Sequence, residues 1–229
     1  MINKLIKLKA MKNKLLRFLL LNLFVVATLG VFAQLPVSHD FNTTQNNWVI
    51  STVDFEYGVT SLNAPVPAYD KGPADKFFMT GLDAAYSNNV MTSVVSETFN
   101  FLTAVTPQVS IDIYADCDFI VFGGDGGFLE YSLDGSTWVA IDGTPTWYDG
   151  TVSPISANYA GSACWATQSW TTFTAIVPAI AGESTVSFRV VFVSDPTSNS
   201  GAGIGFDNFG VIETAPPVDD MTIAYDSPV

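Results

Sequence analysis

Side chains able to bind a cation or move a proton are few and unevenly spread in this 229-residue chain. Residues 116–127 read DCDFIVFGGDGG and put Asp116, Asp118 and Asp125 in one short stretch. Carboxylates are the hard oxygen ligands that calcium prefers. The spacing is not the Asp-x-Asp-x-Asp-Gly of an EF-hand loop, so turn-capping aspartates without metal explain it as well. Asp207 is more pointed. It stands between Phe206 and Asn208 inside the apolar run GIGFDNFGVIE (203–213), where a charge needs a partner or a bound ion.

Catalytic constellations are poorly supplied. His39 is the only histidine, a few residues from the start of the expected mature chain and expected on a mobile or edge segment. Nucleophilic devices need a histidine held in place. One His with the distant Cys117 and Cys164 does not make a zinc site. Glu56, Glu97, Glu130 and Glu183 offer carboxylates for glycoside hydrolysis, but among so few Glu an accidental pair is the simpler account. Glu130 alternates with apolar neighbours and fits an exposed strand residue or an ion pair with Arg189. The chain is read as a non-enzyme.

Rings are the remaining chemistry. Trp138, Trp147, Tyr148, Trp165 and Trp170 follow one another closely. Planar rings either stack on sugar faces or fill a core with large buried area. Core packing is the preferred account, above all for Trp138. Trp147 and Tyr148 lie in a Pro- and Gly-rich segment and are the candidate exposed, ligand-binding rings.

Strands must position these groups. QVSIDIYA (108–115) alternates Val109, Ile111 and Ile113 against Ser110, Asp112 and Tyr114, the period of a half-buried strand. STVSFRVVFVS (184–194) is apolar on both faces and predicts a central strand. Residues 203–213, 171–178 and 94–101 are further strand candidates. Gly, Pro, Asn and Asp clusters separate them, the pattern of an all-β sandwich. In GGDGGFLEYSLDGSTWVAI (123–141), FLEYS and TWVAI flank Asp134-Gly135, which predicts a hairpin closed by a tight Asp-Gly turn. Leu129 and Tyr131 share one face, and Phe128, Glu130 and Ser132 the other. The glycine-rich start is not a phosphate loop, because no Gly-Lys-Ser/Thr and no helix follow. It reads as a flexible loop entering the hairpin.

The N-terminus sets the compartment. Lys4, Lys7, Lys9, Lys12, Lys14 and Arg17 precede an apolar run of 16 residues from Phe18 to Ala33. That is a secretory signal with cleavage before Gln34, since a membrane span needs roughly 20 residues. Met11 is a second candidate start. Residues 34–229 keep three basic residues, Lys71, Lys76 and Arg189, against 22 acidic ones, a formal charge of −19. Such a surface repels nucleic acid and anionic lipid. Export permits a disulfide between Cys117 and Cys164; two buried thiols are the alternative. Thr214-Ala215-Pro216-Pro217 reads as a linker, with 218–229 opening towards a further β domain, so the chain is expected to continue.

Leu35–Ser51 (LPVSHDFNTTQNNWVIS), Ser110–Asp116 (SIDIYAD), Gly124–Trp138 (GDGGFLEYSLDGSTW), Thr146–Gly150 (TWYDG) and Gly203–Val211 (GIGFDNFGV) occur in an order that resembles the MAM-like, concanavalin-like jelly-roll modules of secreted bacterial proteins. These include cleaved-adhesin domains and modules beside immune inhibitor A-type peptidases. The resemblance covers residues 35–213. It implies an all-β, two-sheet antiparallel jelly-roll sandwich over 34–213. It also implies an adhesion or ligand-binding role towards an extracellular glycan or surface protein. Calcium is the cofactor implied, with Asp40 and Asp207 brought together by neighbouring first and last strands and having a better claim than Asp125. The family lacks cysteine where Cys117 and Cys164 stand, and their joint departure favours the bridge. The reading is a secreted or cell-surface, non-catalytic module. The alternative is an accessory domain of an exported peptidase or glycoside hydrolase whose catalytic part lies outside this chain.

Overall fold

Alternation of apolar and polar residues resolves into short antiparallel strands. The computed structural model describes residues 35–52, 54–59, 75–82, 84–120, 123–154, 156–197, 199 and 201–214. Residues 1–33, where a secretory signal is expected, and residues 215–229, where a linker and further strand are expected, lie outside them. In chain order the strands are β1 (Val37–His39), β2 (Val49–Ile50), β3 (Phe55–Gly58), β4 (Phe77–Thr80), β5 (Met91–Val95), β6 (Pro107–Asp116), β7 (Phe119–Ile120) and β8 (Gly123–Gly124). They continue as β9 (Gly126–Ser132), β10 (Val139–Ala140), β11 (Gly150–Thr151), β12 (Ala163–Cys164), β13 (Thr171–Ile176), β14 (Ser187–Val193) and β15 (Gly203–Glu213). A single 3-10 turn, Pro178–Ile180, follows β13. Among the described residues no helix is long and apolar enough to cross a membrane.

Two sheets carry the architecture. One runs β13-β6-β15-β4-β3, with β1 also on β15; the other runs β10-β9-β14-β5-β2. β1 and β4 meet β15 at different ends, pairing with residues 209–211 and 205–206 respectively. Between them β15 bulges at Asp207–Gly210 against β6, and the extra residue Asn208 takes a positive φ of 47°. The inner faces pack on each other. Val109, Ile111, Ile113, Phe206, Phe209 and Val211 of the first sheet join Leu129, Phe188, Val190 and Phe192 of the second in one buried cluster. Phe188 and Phe209 meet across the interface at 5.0 Å. Each such side chain contributes roughly 1.5–3 kcal/mol on burial.

The strand expectations hold for β6, β13, β14 and β15. The stretch 94–101 does not: β5 ends at Val95, and Phe99 makes only an isolated bridge to Val186. The hairpin forms, with Tyr131 opposite Val139, but its turn is wider than a two-residue Asp-Gly turn. Asp134 Oδ1 accepts N–H bonds from Ser136 at 2.7 Å and Thr137 at 2.6 Å, and Ser132 Oγ takes Gly135 N–H at 2.9 Å. A side-chain-capped loop replaces the tight turn, and only Gly135 of the pair has positive φ, 73°.

The glycine run is also corrected. Gly126 and Gly127 lie inside β9, and their lack of side chains is a packing requirement. A Cβ on Gly126 would sit 2.4 Å from Cys164 Sγ, and one on Gly127 2.5 Å from the Val191 carbonyl oxygen.

Candidate functional site

The outer face of the five-stranded sheet carries the densest chemistry. Directly opposed residues share a face, so one row crosses all five strands: Ala140, Glu130, Arg189, Val95 and Val49. At its centre Arg189 Nε donates to Glu130 Oε2 at 2.5 Å, with the two side chains 13% and 5% exposed. Arg189 Nη2 donates to the Tyr159 hydroxyl at 2.8 Å. The guanidinium carbon lies 4.3 Å from the centroid of the Trp138 ring, and that ring is half-exposed. A cation under an aromatic face contributes about 0.5–2 kcal/mol according to desolvation. β14 and β9 fix Arg189 and Glu130 in register, the end of the hairpin loop supplies Trp138, and the loop between β11 and β12 supplies Tyr159. Tyr159 leans on Phe128 at 4.8 Å. Burial, then the Glu130 charge, pushes its phenol above the usual range.

One row further, Ser132 opposes Ser187. Thr98, Ser132, Leu133, Asp134, Gly135, Thr185 and Ser187 line an open pocket of about 250 Å³. Its hydroxyls touch one another and the hairpin loop: Thr98 Oγ1 lies 3.2 Å from Ser187 Oγ, and Thr185 Oγ1 donates to the Leu133 carbonyl at 3.1 Å.

The expected calcium residues divide into two places. β1 ends beside the β15 bulge, so Asp40 follows the His39–Phe209 pair. Asp40 is exposed, and its Oδ1 accepts the Asn42 N–H at 3.2 Å. Asp207 is fully buried and accepts the Asn208 N–H at 2.7 Å. Both act on one hydroxyl: burial first, then Asp207 and Asp40, push the Tyr57 phenol up, while that hydroxyl donates to the Phe41 carbonyl at 2.5 Å.

Asp125 lies apart, before β9, at 1% exposure. Its Oδ1 accepts the Asp195 N–H at 2.6 Å. Burial is the main cause pushing its carboxyl up to about 6; hydrogen bonds from the Asp195 backbone and Tyr86 oppose it, and the Asp195 and Asp118 charges add to it. Among the described residues no group of three or more His, Cys, Asp or Glu is arranged to hold a metal.

Three further expectations are corrected. Cys117 and Cys164 are free and buried, not bridged. Each packs as a small apolar side chain in a different cluster, Cys117 between the sheets and Cys164 against Phe128, Val152, Val191 and Val193. Burial pushes the Cys164 thiol up to about 12.

Trp147 is 4% exposed, and its Nε1 donates to the Thr174 carbonyl at 3.1 Å. Tyr148 is half-buried, with its hydroxyl donating to the Ile141 carbonyl. Their Pro- and Gly-rich segment folds back because Asp142 Oδ1 gathers the Gly143 and Trp147 N–H groups at 2.8 and 2.6 Å. Gly143 leaves the room: a Cβ there would lie 1.9 Å from Trp147 Nε1. Trp138, which sequence reasoning placed in the core, is instead partly exposed, as Tyr148 is.

His39 is in the short strand β1, as an edge position requires, but it is not mobile. It is 8% exposed, and its Nδ1 accepts the Trp48 Nε1–H at 3.0 Å. Glu97 Oε1 lies 3.7 Å from Nε2.

No family model and no curated protein matches the chain. Several solved structures are similar to it at low identity. The K1 cleaved adhesin domain of Lys-gingipain from Porphyromonas gingivalis W83 is 13% identical over 80% of this chain and 100% of that one, with a TM-score of 0.44. The C-terminal family 22 carbohydrate binding module of Clostridium thermocellum Xyn10B is 12% identical over 77% and 92%, at 0.42. The C-terminal CBM6 of LamC from Zobellia galactanivorans is 14% identical over 78% and 99%, at 0.36.

Proposed function

We propose that this chain is a secreted or cell-surface, non-catalytic binding module of jelly-roll type, and that its ligand is a glycan held against Trp138. The observation that carries the reading is the half-exposed Trp138 ring fixed over an Arg189–Glu130–Tyr159 cluster on the outer face of the five-stranded sheet. A sugar ring offers a C–H face to an indole and hydroxyls to guanidinium, carboxylate and phenol groups. A few convergent polar groups beside apolar surface are what ligand sites need. The cluster is already assembled, so binding costs little side-chain ordering. Export is supported by the basic-then-apolar residues 1–33.

The test is a glycan array followed by calorimetry on the hits. Trp138→Ala is expected to weaken binding at least tenfold while the melting temperature falls by only a few degrees, the scale of the lost contact with Arg189. Equal affinity in the variant would contradict the reading.

Calcium is proposed as a structural cofactor between Asp40 and Asp207. Asp40 follows β1 and Asp207 opens the β15 bulge beside it, each offering carboxylate oxygens. This is the donor type calcium takes, six to eight oxygens in all. Calcium titrated into chelator-treated protein is expected to release or absorb heat and to raise the melting temperature. In Asp207→Asn both responses are expected to vanish. No heat and no rise in the unsubstituted protein would rule the cofactor out.

A further inference from the structure

We infer that the site takes a neutral glycan chain across two adjoining subsites, the Trp138 ring and the hydroxyl-lined pocket behind the hairpin loop. The inference rests on the glycan reading above and adds the second subsite and the charge class.

Arg189, under the Trp138 ring, and Ser187, on the pocket wall, are two residues apart on β14, about 6.6–6.8 Å along a strand, a spacing on the scale of one sugar ring. At about 250 Å³ the pocket suits a single ring sugar; drug-sized ligands fill roughly 300–1,000 Å³. Its walls alternate in character. Leu133, 37% exposed, is the apolar one. Thr98, Thr185 and Ser187 line the rest with hydroxyls. A hydroxyl donates once and accepts twice; the bonds within the pocket engage each of these hydroxyls only once, leaving capacity for a ligand's own hydroxyls.

Charge sets the class. Arg189 is the one cation of this face among the described residues, and Glu130 pairs it at 2.5 Å. Asp134 stands exposed on the pocket wall, and the Thr137 and Ser136 N–H groups hold its carboxyl far below the usual range. Residues 34–229 carry −19 overall. A uronate or sulfated chain meets repulsion from Asp134 and finds no uncommitted cation here. A neutral chain pays neither penalty.

Calorimetry with the full chain would use cellohexaose, xylohexaose, mannohexaose and a galacturonate hexamer. At least one neutral hexasaccharide is expected to bind, with little dependence on salt, and the galacturonate hexamer is expected to show no heat. Thr98→Val with Thr185→Val is expected to weaken the neutral ligand about tenfold, the scale of unsatisfied ligand hydroxyls, with melting temperature confirming the fold. Galacturonate binding as tight as the neutral ligand overturns the inference. So does unchanged binding in the double variant while Trp138→Ala has lost it; that result leaves the glycan reading standing. Binding of none of the hexasaccharides, or binding indifferent to Trp138→Ala, overturns both.

Discussion

Glu130 and Arg189 are the pair on which the outer face depends. With the Glu130 side chain 5% and the Arg189 side chain 13% exposed, removing one partner strands the other, at a cost of about 3–5 kcal/mol. Arg189→Met is therefore expected to lower the unfolding free energy in urea by that amount. Adding Glu130→Leu is expected to recover most of it, because paired apolar replacements leave no orphan charge.

Two titrating groups give opposite pH slopes. His39 is lowered from its ordinary value, by burial first, with Glu97 and Asp40 opposing. Its unfolded form therefore takes up a proton first, and its contribution to stability falls as pH drops through about 6.5. Asp125 is raised to about 6. Its folded form binds the proton first, so its contribution rises as pH falls from about 6 towards the unfolded value near 4. The stability difference between Asp125→Asn and the unsubstituted protein is expected to move against the variant between pH 7 and 4.5, as read by chemical denaturation.

At this scale the sequence was partly legible. The Glu130–Arg189 pairing could be read from alternation in two strands. The exposure of Trp138 and the burial of Trp147 could not, because burial is decided by which loop folds back. Gly143 was the one local signal: a residue without a side chain four positions before a Trp that needs the space.

Among the elements, β9 shows how a sequence pattern can be right about strand and wrong about cause. Its apolar alternation predicted the hairpin faces correctly, with Leu129 between the sheets and Phe128 under the β11–β12 loop. Gly126 and Gly127 suggested flexibility, yet they mark where β12 and β14 come too close for a Cβ. Gly126→Ala is expected to lower stability by about 1–3 kcal/mol, as overpacked cores do. Cys164→Ala in the same chain is expected to restore part of the loss, since the obstruction is the Cys164 sulfur. Gly127→Ala is expected to cost more, because the Val191 carbonyl belongs to a paired strand. Full recovery of Gly126→Ala without the second change would contradict this packing. The bulge at Asp207 was equally hidden. It arises where β1 and β4 change over on one edge of β15, a long-range event that Asp207 signals only as a charge out of place.

The described residues form an antiparallel sandwich, each of whose sheets has a partly covered outer face. On the six-stranded sheet Tyr114, Phe77 and Met79 are covered; on the five-stranded sheet Phe128, Val191 and Val193 are covered, while Val49, in the row of Arg189, is 63% exposed. Strand type followed from period-two patterns for β6, β13, β14 and β15, because strands impose that period directly; sheet order did not, because it depends on long-range pairing. Loop placement did not, and the proposed site is built from loops resting on strands. The account's central claim is that a glycan lies on Trp138. The most direct measurement is the set of indole N–H signals in a 15N-labelled sample titrated with a bound neutral oligosaccharide, with Trp138 assigned from the Trp138→Phe spectrum. The signal of Trp138 is expected to shift in proportion to saturation while those of buried Trp48, Trp147 and Trp165 stay in place. A saturating ligand that leaves the Trp138 signal unmoved would contradict the account.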